Sequence, residues 1–325
     1  MRVLITGGFG CIGAWLTRAL LGRNYEVYIY DLREDRRRMQ LVMDEAEWSK
    51  AQYVPGDITD GAHLVSVCRD LGITHIAHLA ALQVPSCRTD PVRGALVNVV
   101  GTLNIFETAR QLSAQVRNLV YASSAAVYGE PAQYEADRDL DESAPLRPST
   151  HYGAYKVCNE FNARAYYLDH KLPSIGIRPW TVYGVGRDFG MTSEPTKAIL
   201  AVALGKPYRI SYGGWQDFQY AEDVAEAFAR CLERPAQEAM VYNLRGVLAD
   251  MPTFYKLLTE VAPQAADLVS YGERQLPIAY RLSDEHFQRD FGPLLPTPLE
   301  VGIRRTLERF RVLHAAGLVT EADLA

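Results

Sequence analysis

The sequence lacks the cysteine and histidine patterns of disulfide-rich or metal-binding proteins. Its five cysteines are scattered and odd in number, and no C-x-x-C pair occurs, which is typical of a reducing compartment. The seven histidines are also dispersed. His75 and His78 lie three residues apart in a predicted strand, so they point to opposite faces of it. We therefore predict neither a disulfide framework nor a metal site.

Long apolar runs and an excess of positive charge are also absent. No stretch is long enough to span a bilayer, and the three apolar residues after Met1-Arg2 are too few for the core of a secretory signal. The net charge of −5 disfavours a nucleic-acid surface. We expect a cytoplasmic protein without membrane or nucleic-acid partners. The 48% apolar content of its 325 residues supports one large or two modest domains.

The most informative segment is Thr6–Gly13, TGGFGCIG, which follows the short apolar segment Arg2–Ile5. Apolar residues at helical spacing come next, so a strand, a glycine turn and a helix are predicted. The glycines fit two overlapping dinucleotide-binding patterns, Gly8-Gly10-Gly13 and Gly7-Gly10-Gly13. Glycine there lets the backbone approach a pyrophosphate at the helix N-terminus. The alternative, a tight turn without a ligand, is disfavoured by this context.

Apolar segments and helical patterns alternate over the first 180 residues. Strands are predicted at 2–5, 26–30, 52–54, 73–79, 117–122 and 174–178. Helices are predicted at 12–21, 60–71, 91–112 and 152–170. This alternation predicts an α/β Rossmann fold, with a doubly wound parallel sheet.

The pattern changes after residue 180. Helices are predicted at 196–204, 222–232, 252–261, 284–291 and 298–313, and strands at 208–210 and 240–244. We predict an NAD-binding Rossmann domain over 1–180 and a smaller α/β substrate-binding lobe over 181–325. Segments around 215–245 are expected to return to the first domain.

Asp31 ends the second predicted strand, 18 residues after Gly13. A carboxylate there accepts hydrogen bonds from a ribose 2′-hydroxyl and repels a 2′-phosphate, which favours NAD over NADP. Arg33 could still hold a phosphate. A turn or helix-capping role for Asp31 is the alternative.

Tyr152 and Lys156 lie four residues apart in a predicted helix and share a face. An ammonium about 4 Å from a phenol, at an effective dielectric of ~20, contributes ~4 kcal/mol, enough to bring the phenol pKa towards neutrality. A phenolate can then take a proton from an alcohol. Such a pair is also common on a solvated helix face, but after a dinucleotide loop the catalytic interpretation is favoured.

The segment Tyr121–Gly129, YASSAAVYG, follows the fifth predicted strand. Ligands bind at the carboxyl edge of such a sheet, where a serine hydroxyl can contact a substrate oxygen. Serines that satisfy backbone groups in a turn are the alternative.

Taken together, these segments resemble an extended short-chain dehydrogenase/reductase of the NAD-dependent epimerase/dehydratase type. The resemblance covers nearly the whole chain. It also includes Gly56–Ile58, His78–Ala81, Asn98 with Gly101-Thr102, Arg178-Pro179 and Pro296–Gly302.

The resemblance implies that Tyr152 is the catalytic acid or base, that Lys156 tunes it and binds the nicotinamide ribose, and that Ser124 is the third member. Ser124 is chosen because the family's hydroxyl lies four residues before the tyrosine of V-Y-G, here Tyr128. NAD is the implied cofactor. Its implied contacts are Gly7, Gly10, Cys11, Ile12, Gly13, Asp31, Asp57, Ile58, Leu79, Ala80, Ala81, Asn98, Tyr152, Lys156 and Pro179. A homodimer through the helices at 91–114 and 152–170 is also implied, although the spacing in these helices is equally consistent with core packing.

Several departures from the family pattern concern the reaction and the substrate. Family dehydratases carry Asp-Glu where this chain has Ala125 and Ala126, so dehydration is disfavoured, as is a decarboxylase role that needs Glu at 126. Gln216 replaces a diphosphate-binding arginine and Thr181 replaces an asparagine. A neutral glutamine cannot make a bidentate, charge-assisted phosphate contact.

Either another cation replaces that arginine or the substrate lacks a diphosphate. The candidate cations are Arg187, Arg209 and Lys206. The predicted substrate contacts are Ser124, Ala125, Thr181 and Gln216.

Three functions remain open. The first is an NAD-dependent epimerase-like enzyme that moves hydride at a secondary carbinol of a sugar or sugar nucleotide. The second is a dehydrogenase of a non-nucleotide sugar, sugar acid or polyol, which Gln216 and Thr181 favour. The third is a catalytically silent NAD-sensing protein, which the intact Tyr152 and Lys156 disfavour.

Overall fold

The computed structural model describes residues 1–135 and 137–325. The strands are β1 (Arg2–Thr6), β2 (Glu26–Asp31), β3 (Gln52–Pro55), β4 (His75–His78), β5 (Asn118–Ala122), β6 (Ser174–Arg178), β7 (Thr181–Tyr183), β8 (Tyr208–Ile210), β9 (Trp215–Tyr220), β10 (Ala239–Asn243), β11 (Val247–Asp250) and β12 (Val269–Tyr271). The α-helices are α1 (Cys11–Gly22), α2 (Arg37–Val42), α3 (Glu45–Trp48), α4 (Gly61–Asp70), α5 (Val84–Thr89), α6 (Pro91–Ala95), α7 (Gly101–Gln111), α8 (His151–His170), α9 (Glu194–Leu204), α10 (Ala221–Glu233), α11 (Met251–Val261), α12 (Ala265–Leu268), α13 (Glu285–Phe291) and α14 (Leu299–Ala315).

The main sheet has seven strands in the order β3-β2-β1-β4-β5-β6-β10. Every neighbouring pair in it is parallel. The strand order reverses between β1 and β4, and ligands of doubly wound sheets bind at the carboxyl ends of the strands at such a reversal. The glycine loop leaves β1 at this point. The predicted Rossmann fold is therefore confirmed.

Both faces of this sheet are buried because alternate residues of each strand enter different cores. Val3 and Ile5 of β1 pack in one apolar core with α1 and α10, whereas Leu4 packs in the other. Tyr28 of β2 follows Leu4 into that second core, with side chains of α4 and α7. A parallel sheet covered by helices on both faces has this continuous apolar character.

The chain after residue 180 contributes to both parts of the molecule. Helix α10 packs against α1, and β10 pairs with β6 at the edge of the main sheet. The remaining strands form a three-stranded sheet, β11-β9-β7, and a two-stranded sheet, β12-β8, with α9, α11 and α14 packed nearby. The division of the chain at residue 180 stays a prediction.

The helix predicted over 91–112 is interrupted in the structure. Helix α6 passes into a π-helical turn at Leu96–Val100 before α7 begins. Strands β7, β9, β11 and β12 were not predicted because each has only three to six residues and gains its partners from distant segments. Among the described residues, no helix is both long and apolar enough to cross a membrane.

Candidate active site

The glycine loop packs so tightly that two of its positions leave no space for a side chain. Gly7 has a φ of +67°, and a Cβ on it would lie 2.7 Å from the Ala80 backbone after β4. A Cβ on Gly13 would lie 2.6 Å from the carbonyl oxygen of Gly8. Glycine is therefore required for α1 to begin close to the edge of the sheet. The first N–H groups of α1, which have no intrahelical partner, then point to a position suited to an anion.

A cleft of about 800 Å³ extends along the carboxyl edge of the sheet, a volume typical of small-molecule sites. The predicted cofactor contacts that line it are Gly7, Gly10, Cys11, Ile12, Gly13, Asp31, Asp57, Ile58, Leu79, Ala80, Ala81, Tyr152, Lys156 and Pro179. The cleft also receives Ser124 and Ala125. Residues of seven separate predicted segments therefore meet in one continuous space.

The carboxylate of Asp31 is held at the end of β2. Its two oxygens accept hydrogen bonds from the backbone N–H groups of Leu32 (2.9 Å) and Phe9 (3.3 Å). Burial raises its pKa, and those two hydrogen bonds oppose the rise. At the far end of the cleft, Asp57 is oriented by the Thr59 backbone and hydroxyl groups, each 2.8 Å from one carboxylate oxygen. A glycine cradle, a carboxylate at the end of β2 and a second polar end fit an extended dinucleotide such as NAD.

Tyr152 reaches the cleft from the first turn of α8. The hydroxyl of Thr150 caps this helix by accepting a hydrogen bond from Gly153 N at 3.0 Å. A Cβ on Gly153 would lie 2.2 Å from the carbonyl oxygen of Ala126, so glycine lets α8 contact the 3₁₀ turn Ala125–Val127. Ser124 caps that turn through its hydroxyl, which accepts from Ala126 N at 3.1 Å. The contact between helix and turn brings the side chains of Ser124 and Tyr152 together.

Lys156 lies one helical turn beyond Tyr152 and is only 3% exposed. Its ammonium donates a 2.6 Å hydrogen bond to the carbonyl oxygen of Ala122 and lies 5.5 Å from the centre of the Tyr152 ring. Burial lowers the pKa of Lys156 to about 8. A charged ammonium is therefore retained at neutral pH, but with a weakened hold on its proton.

The expectation that Lys156 brings the Tyr152 pKa towards neutrality is wrong for the protein alone. Burial raises the pKa of Tyr152 above its usual value. Ser124 and the charge of Arg187 oppose this rise. The loss of hydration around the phenol outweighs these contacts, and the ammonium of Lys156 is directed towards Ala122 instead.

Three predicted contacts do not line the cleft. Asn98, in the π-helical turn, accepts from Leu82 N at 2.7 Å and donates to Leu82 O at 2.8 Å, so it supports the loop after β4 from behind. Thr181 donates a 2.9 Å hydrogen bond to Gln216 Oε1, and both residues are fully buried. Within the described chain, Gln216 Nε2 has no hydrogen-bond partner. Roles for these three residues in binding NAD or substrate stay predictions.

Several lining residues were missed because they belong to no motif. They are Gln83, Val84, Trp180, Val182, Phe189, Met191, Thr192 and Ile278. Ile278 joins the cleft from a segment almost 100 residues after β6. Of the three cations proposed to replace an arginine at 216, only Arg187 lines the cleft. Arg209 is exposed outside the cleft, and Lys206 pairs with Glu321 at 2.7 Å. No signal in the sequence distinguishes the missed lining residues from other loop residues.

In residues 1–135 and 137–325, no group of three or more His, Cys, Asp or Glu side chains has an arrangement that could hold a metal ion.

The chain is similar to known proteins over most of its length. A sequence profile described as the NAD dependent epimerase/dehydratase family matches residues 3–244. A UDP-glucose 4-epimerase of Mycolicibacterium smegmatis is 34% identical over 238 residues, covering 71% of this chain and 72% of the relative. A dTDP-glucose 4,6-dehydratase of Salmonella typhimurium is 27% identical over 342 residues, covering 95% and 92%. The crystal structure of a Thermus thermophilus UDP-glucose 4-epimerase in complex with NAD has a TM-score of 0.81 and 27% identity, covering 96% of this chain and 99% of that one.

Proposed function

Because this chain belongs to the NAD-dependent epimerase/dehydratase family, we propose that it is an NAD-dependent enzyme that moves hydride at a secondary carbinol of a carbohydrate substrate. The single observation that carries the proposal is that Ser124, Tyr152 and Lys156 line the same cleft as the glycine loop. Hydride transfer needs an acid–base group and a cofactor site in one solvent-restricted space.

The residues of the cleft would hold NAD from end to end. Asp57 and Ile58 would contact the adenine, and Asp31 the adenosine ribose. The first N–H groups of α1 would bind the pyrophosphate, and Pro179 would border the nicotinamide. When bound, NAD accepts the carbinol hydride, and in an epimerase it returns that hydride to the opposite face of the carbon.

Side chains of the protein would accept or donate the proton that moves together with this hydride. The Ser124 hydroxyl orients the substrate oxygen, and the Tyr152 phenolate takes the carbinol proton as the C–O bond becomes a carbonyl. Burial raises the pKa of Tyr152 in the protein alone, so positive charge beside the phenol would favour the phenolate that acts as the base. The nicotinamide ring of the oxidised cofactor would bring such a charge close to the phenol, and the buried ammonium of Lys156, 5.5 Å from the centre of the Tyr152 ring, would add to it.

The pair Ala125-Ala126 supports chemistry limited to hydride and proton transfer. Both residues are buried in the turn that follows Ser124. A methyl group cannot protonate a leaving hydroxyl, so this turn supplies no acid for dehydration.

An NAD-consuming dehydrogenase of a non-nucleotide sugar, sugar acid or polyol is the second candidate. It is favoured by the neutral, mutually bonded pair Thr181 and Gln216, which supplies no positive charge for a diphosphate. The alternative of a silent NAD-sensing protein is disfavoured by the convergence of Tyr152, Lys156 and Ser124.

Measuring cofactor content and turnover of the purified protein tests the proposal. Released NAD is quantified after denaturation, and the protein is then incubated with UDP-glucose, free hexoses, uronates and aldonates. Tightly retained NAD with interconversion of two sugars supports epimerisation. An empty protein that produces NADH supports net oxidation. If no substrate is converted, or if conversion survives in Tyr152→Phe, the proposal is contradicted.

We also propose that a second copy of this chain covers an apolar stripe formed by two neighbouring helices. Val92 and Val100 lie eight residues apart and are exposed, Val92 by 73%. On α8, Phe161 (60% exposed) and Leu168 continue the stripe. Two helices from each copy would form a self-complementary four-helix contact.

Phe161→Glu should convert a dimer to a monomer in sedimentation velocity. Leu295→Glu is the matched control, because Leu295 is 85% exposed on a different segment. A wild-type monomer, or dissociation by both variants, would argue against the stripe. The cytoplasmic location expected from the sequence stays a prediction.

A further inference from the structure

We infer that Arg187 determines the substrate class by binding a single carboxylate of a non-nucleotide sugar acid beside Tyr152. This inference rests on the proposed hydride-transfer function. It names the group that the cleft recognises at its substrate end.

Arg187 lies in the loop between β7 and α9, and lines the cleft. Gly184 and Gly186 precede it with φ values of +126° and +88°. Residues other than glycine rarely adopt these backbone conformations. The Arg187 backbone N–H donates to Gly184 O at 3.1 Å, which closes the turn. The position of Arg187 over the cleft is therefore built into the backbone of the loop.

The guanidinium of Arg187 contacts only neutral groups. Its Nη2 donates to the Thr192 hydroxyl at 3.1 Å, and its Nη1 lies 3.4 Å from the side-chain oxygen of Gln83. Its Nε is buried and has no hydrogen-bond partner in the described chain. Among the described residues, no Asp or Glu lies within salt-bridge distance of it. A partly buried cation with an unused donor is stabilised by an anionic ligand.

Two other buried or partly buried arginines are each paired with a carboxylate. Arg178 forms a bidentate pair with Glu160, at 2.7 and 2.8 Å. Arg38 pairs with Asp188, the residue next to Arg187, at 3.0 Å to each carboxylate oxygen. The carboxylate of Asp188 is thus already paired with Arg38, and the guanidinium of Arg187 is left without a carboxylate partner.

Five cationic side chains line the cleft, those of Arg33, Arg38, Arg93, Lys156 and Arg187. Arg38 is paired with Asp188, and Arg33 and Arg93 are exposed, so Arg187 is the partly buried arginine that is left for a carboxylate. Lys156 is directed to Ala122, and Arg33 lies beside Asp31 at the cofactor end. The apolar side chains of Trp180, Val182, Met191 and Ile278 line the same cleft, together with the neutral polar groups of Gln83 and Thr192. A carboxylate with two parallel lone-pair directions matches the planar donor set of a guanidinium.

Arg187 also acts on the catalytic tyrosine. Burial raises the pKa of Tyr152, and the positive charge of Arg187 opposes that rise. It opposes in the same way the rise of the Cys11 pKa to about 11 that burial causes. Because Cys11 begins α1, the rival role for Arg187 is binding the cofactor pyrophosphate, and the test must separate the two roles.

The test measures binding to the 325-residue chain by calorimetry, first of NAD and then, with NAD present, of probe pairs. The probes are D-galacturonate with D-galactose and D-gluconate with D-glucitol, followed by glucose 6-phosphate and UDP-glucose. The variants are Arg187→Met and Arg187→Lys. The matched control is Arg209→Met, which removes an exposed cation of β8 that does not line the cleft.

We expect one acid to bind at least about tenfold more tightly than its neutral partner. Arg187→Met should weaken acid binding by about 10- to 100-fold and abolish that discrimination, while NAD affinity changes by less than about threefold. Arg187→Lys should restore part of the discrimination, and Arg209→Met should change neither affinity.

Four results would overturn the inference. They are binding of none of the acids, preference for glucose 6-phosphate or UDP-glucose, equal losses for acid and neutral probes, and a parallel loss of NAD affinity in Arg187→Met. Conversion of a neutral sugar or UDP-glucose that depends on Tyr152 but not on Arg187 would overturn the inference and retain the proposed function. Arg187-dependent acid binding without any hydride transfer would instead contradict the proposed function.

Discussion

The two ends of the cleft are built in different ways. The cofactor end is built around β1, the glycine loop and α1, which are contiguous in sequence, and the ends of the neighbouring strands add Asp31, Asp57 and Leu79–Ala81. At Gly7 and Gly13, backbone atoms leave no space for a side chain. The substrate end is assembled from separate segments around Gln83, Ser124, Trp180, Arg187 and Ile278, and its surface is made of side chains. Backbone contacts constrain a motif strongly, whereas loop side chains vary freely. One cofactor end can therefore serve many different substrate ends.

Tyr152→Phe is the test with the largest expected effect, because it removes the hydroxyl that takes the carbinol proton and keeps the ring that lines the cleft. We expect turnover to fall by about 100- to 10,000-fold, as for loss of a general acid or base. Affinity for NAD, measured by quenching of protein fluorescence, should change by less than about twofold (~0.4 kcal/mol). A comparable loss of NAD affinity would show that the two ends are not separable.

Gly13→Ala tests the cofactor end by adding one methyl group. That methyl group would lie 2.6 Å from the carbonyl oxygen of Gly8, so the loop must move. We expect NAD affinity to fall by about 100-fold, or ~2.7 kcal/mol. Gly22→Ala is the matched control in the same helix, because a Cβ there meets no atom within 4 Å. Equal NAD affinities for the two variants would contradict the assignment of the loop.

Lys156 joins the two ends, and its buried ammonium makes stability depend on pH. Its pKa is lowered from 10.5 to about 8 in the folded protein. Between these two values the unfolded chain binds more protons than the folded one, so the contribution of Lys156 to stability increases with pH. Below the folded pKa, the buried charge is a cost to the folded state.

Lys156→Met removes this dependence. Wild type gains stability over this range and the variant does not. The free energy of unfolding of the variant, relative to that of wild type, should therefore decline by about 2 kcal/mol from about pH 7 to about pH 9.5. Urea unfolding at several pH values measures this change, with Lys50→Met as the control for loss of an exposed lysine. A difference that stays constant with pH would refute the lowered pKa.

Asp31→Ala has the smallest expected effect, and it tests which residue contacts the adenosine ribose at the cofactor end. Without the carboxylate, a 2′-phosphate is no longer repelled, and Arg33 lines the cleft nearby. We expect the preference for NAD over NADP to narrow by about tenfold, or ~1.4 kcal/mol. An unchanged ratio of dissociation constants would exclude Asp31 as the ribose ligand.

Much of the fold follows from local patterns in the sequence. The strands predicted at 26–30 and 174–178 match β2 and β6 within one residue, because their apolar residues are contiguous. The helix predicted at 152–170 matches α8, whose start is set by the capping residue Thr150. Most of the predicted cofactor contacts line the cleft, since most of them follow directly after a predicted strand. Asn98 is the exception, because its support of Leu82 depends on a π-helical turn with no local signal.

The sequence by itself determined the alternation of strands and helices, the glycine turn and the spacing of Tyr152 and Lys156, because each depends on residues close together in the chain. Only the tertiary structure decided which groups are buried, which are paired and which face the cleft. Burial reverses the direction expected for the Tyr152 pKa, and the pairing of Thr181 with Gln216 removes both from the cleft surface. Desolvation and pairing depend on atoms contributed by distant segments, and local spacing carries no information about them.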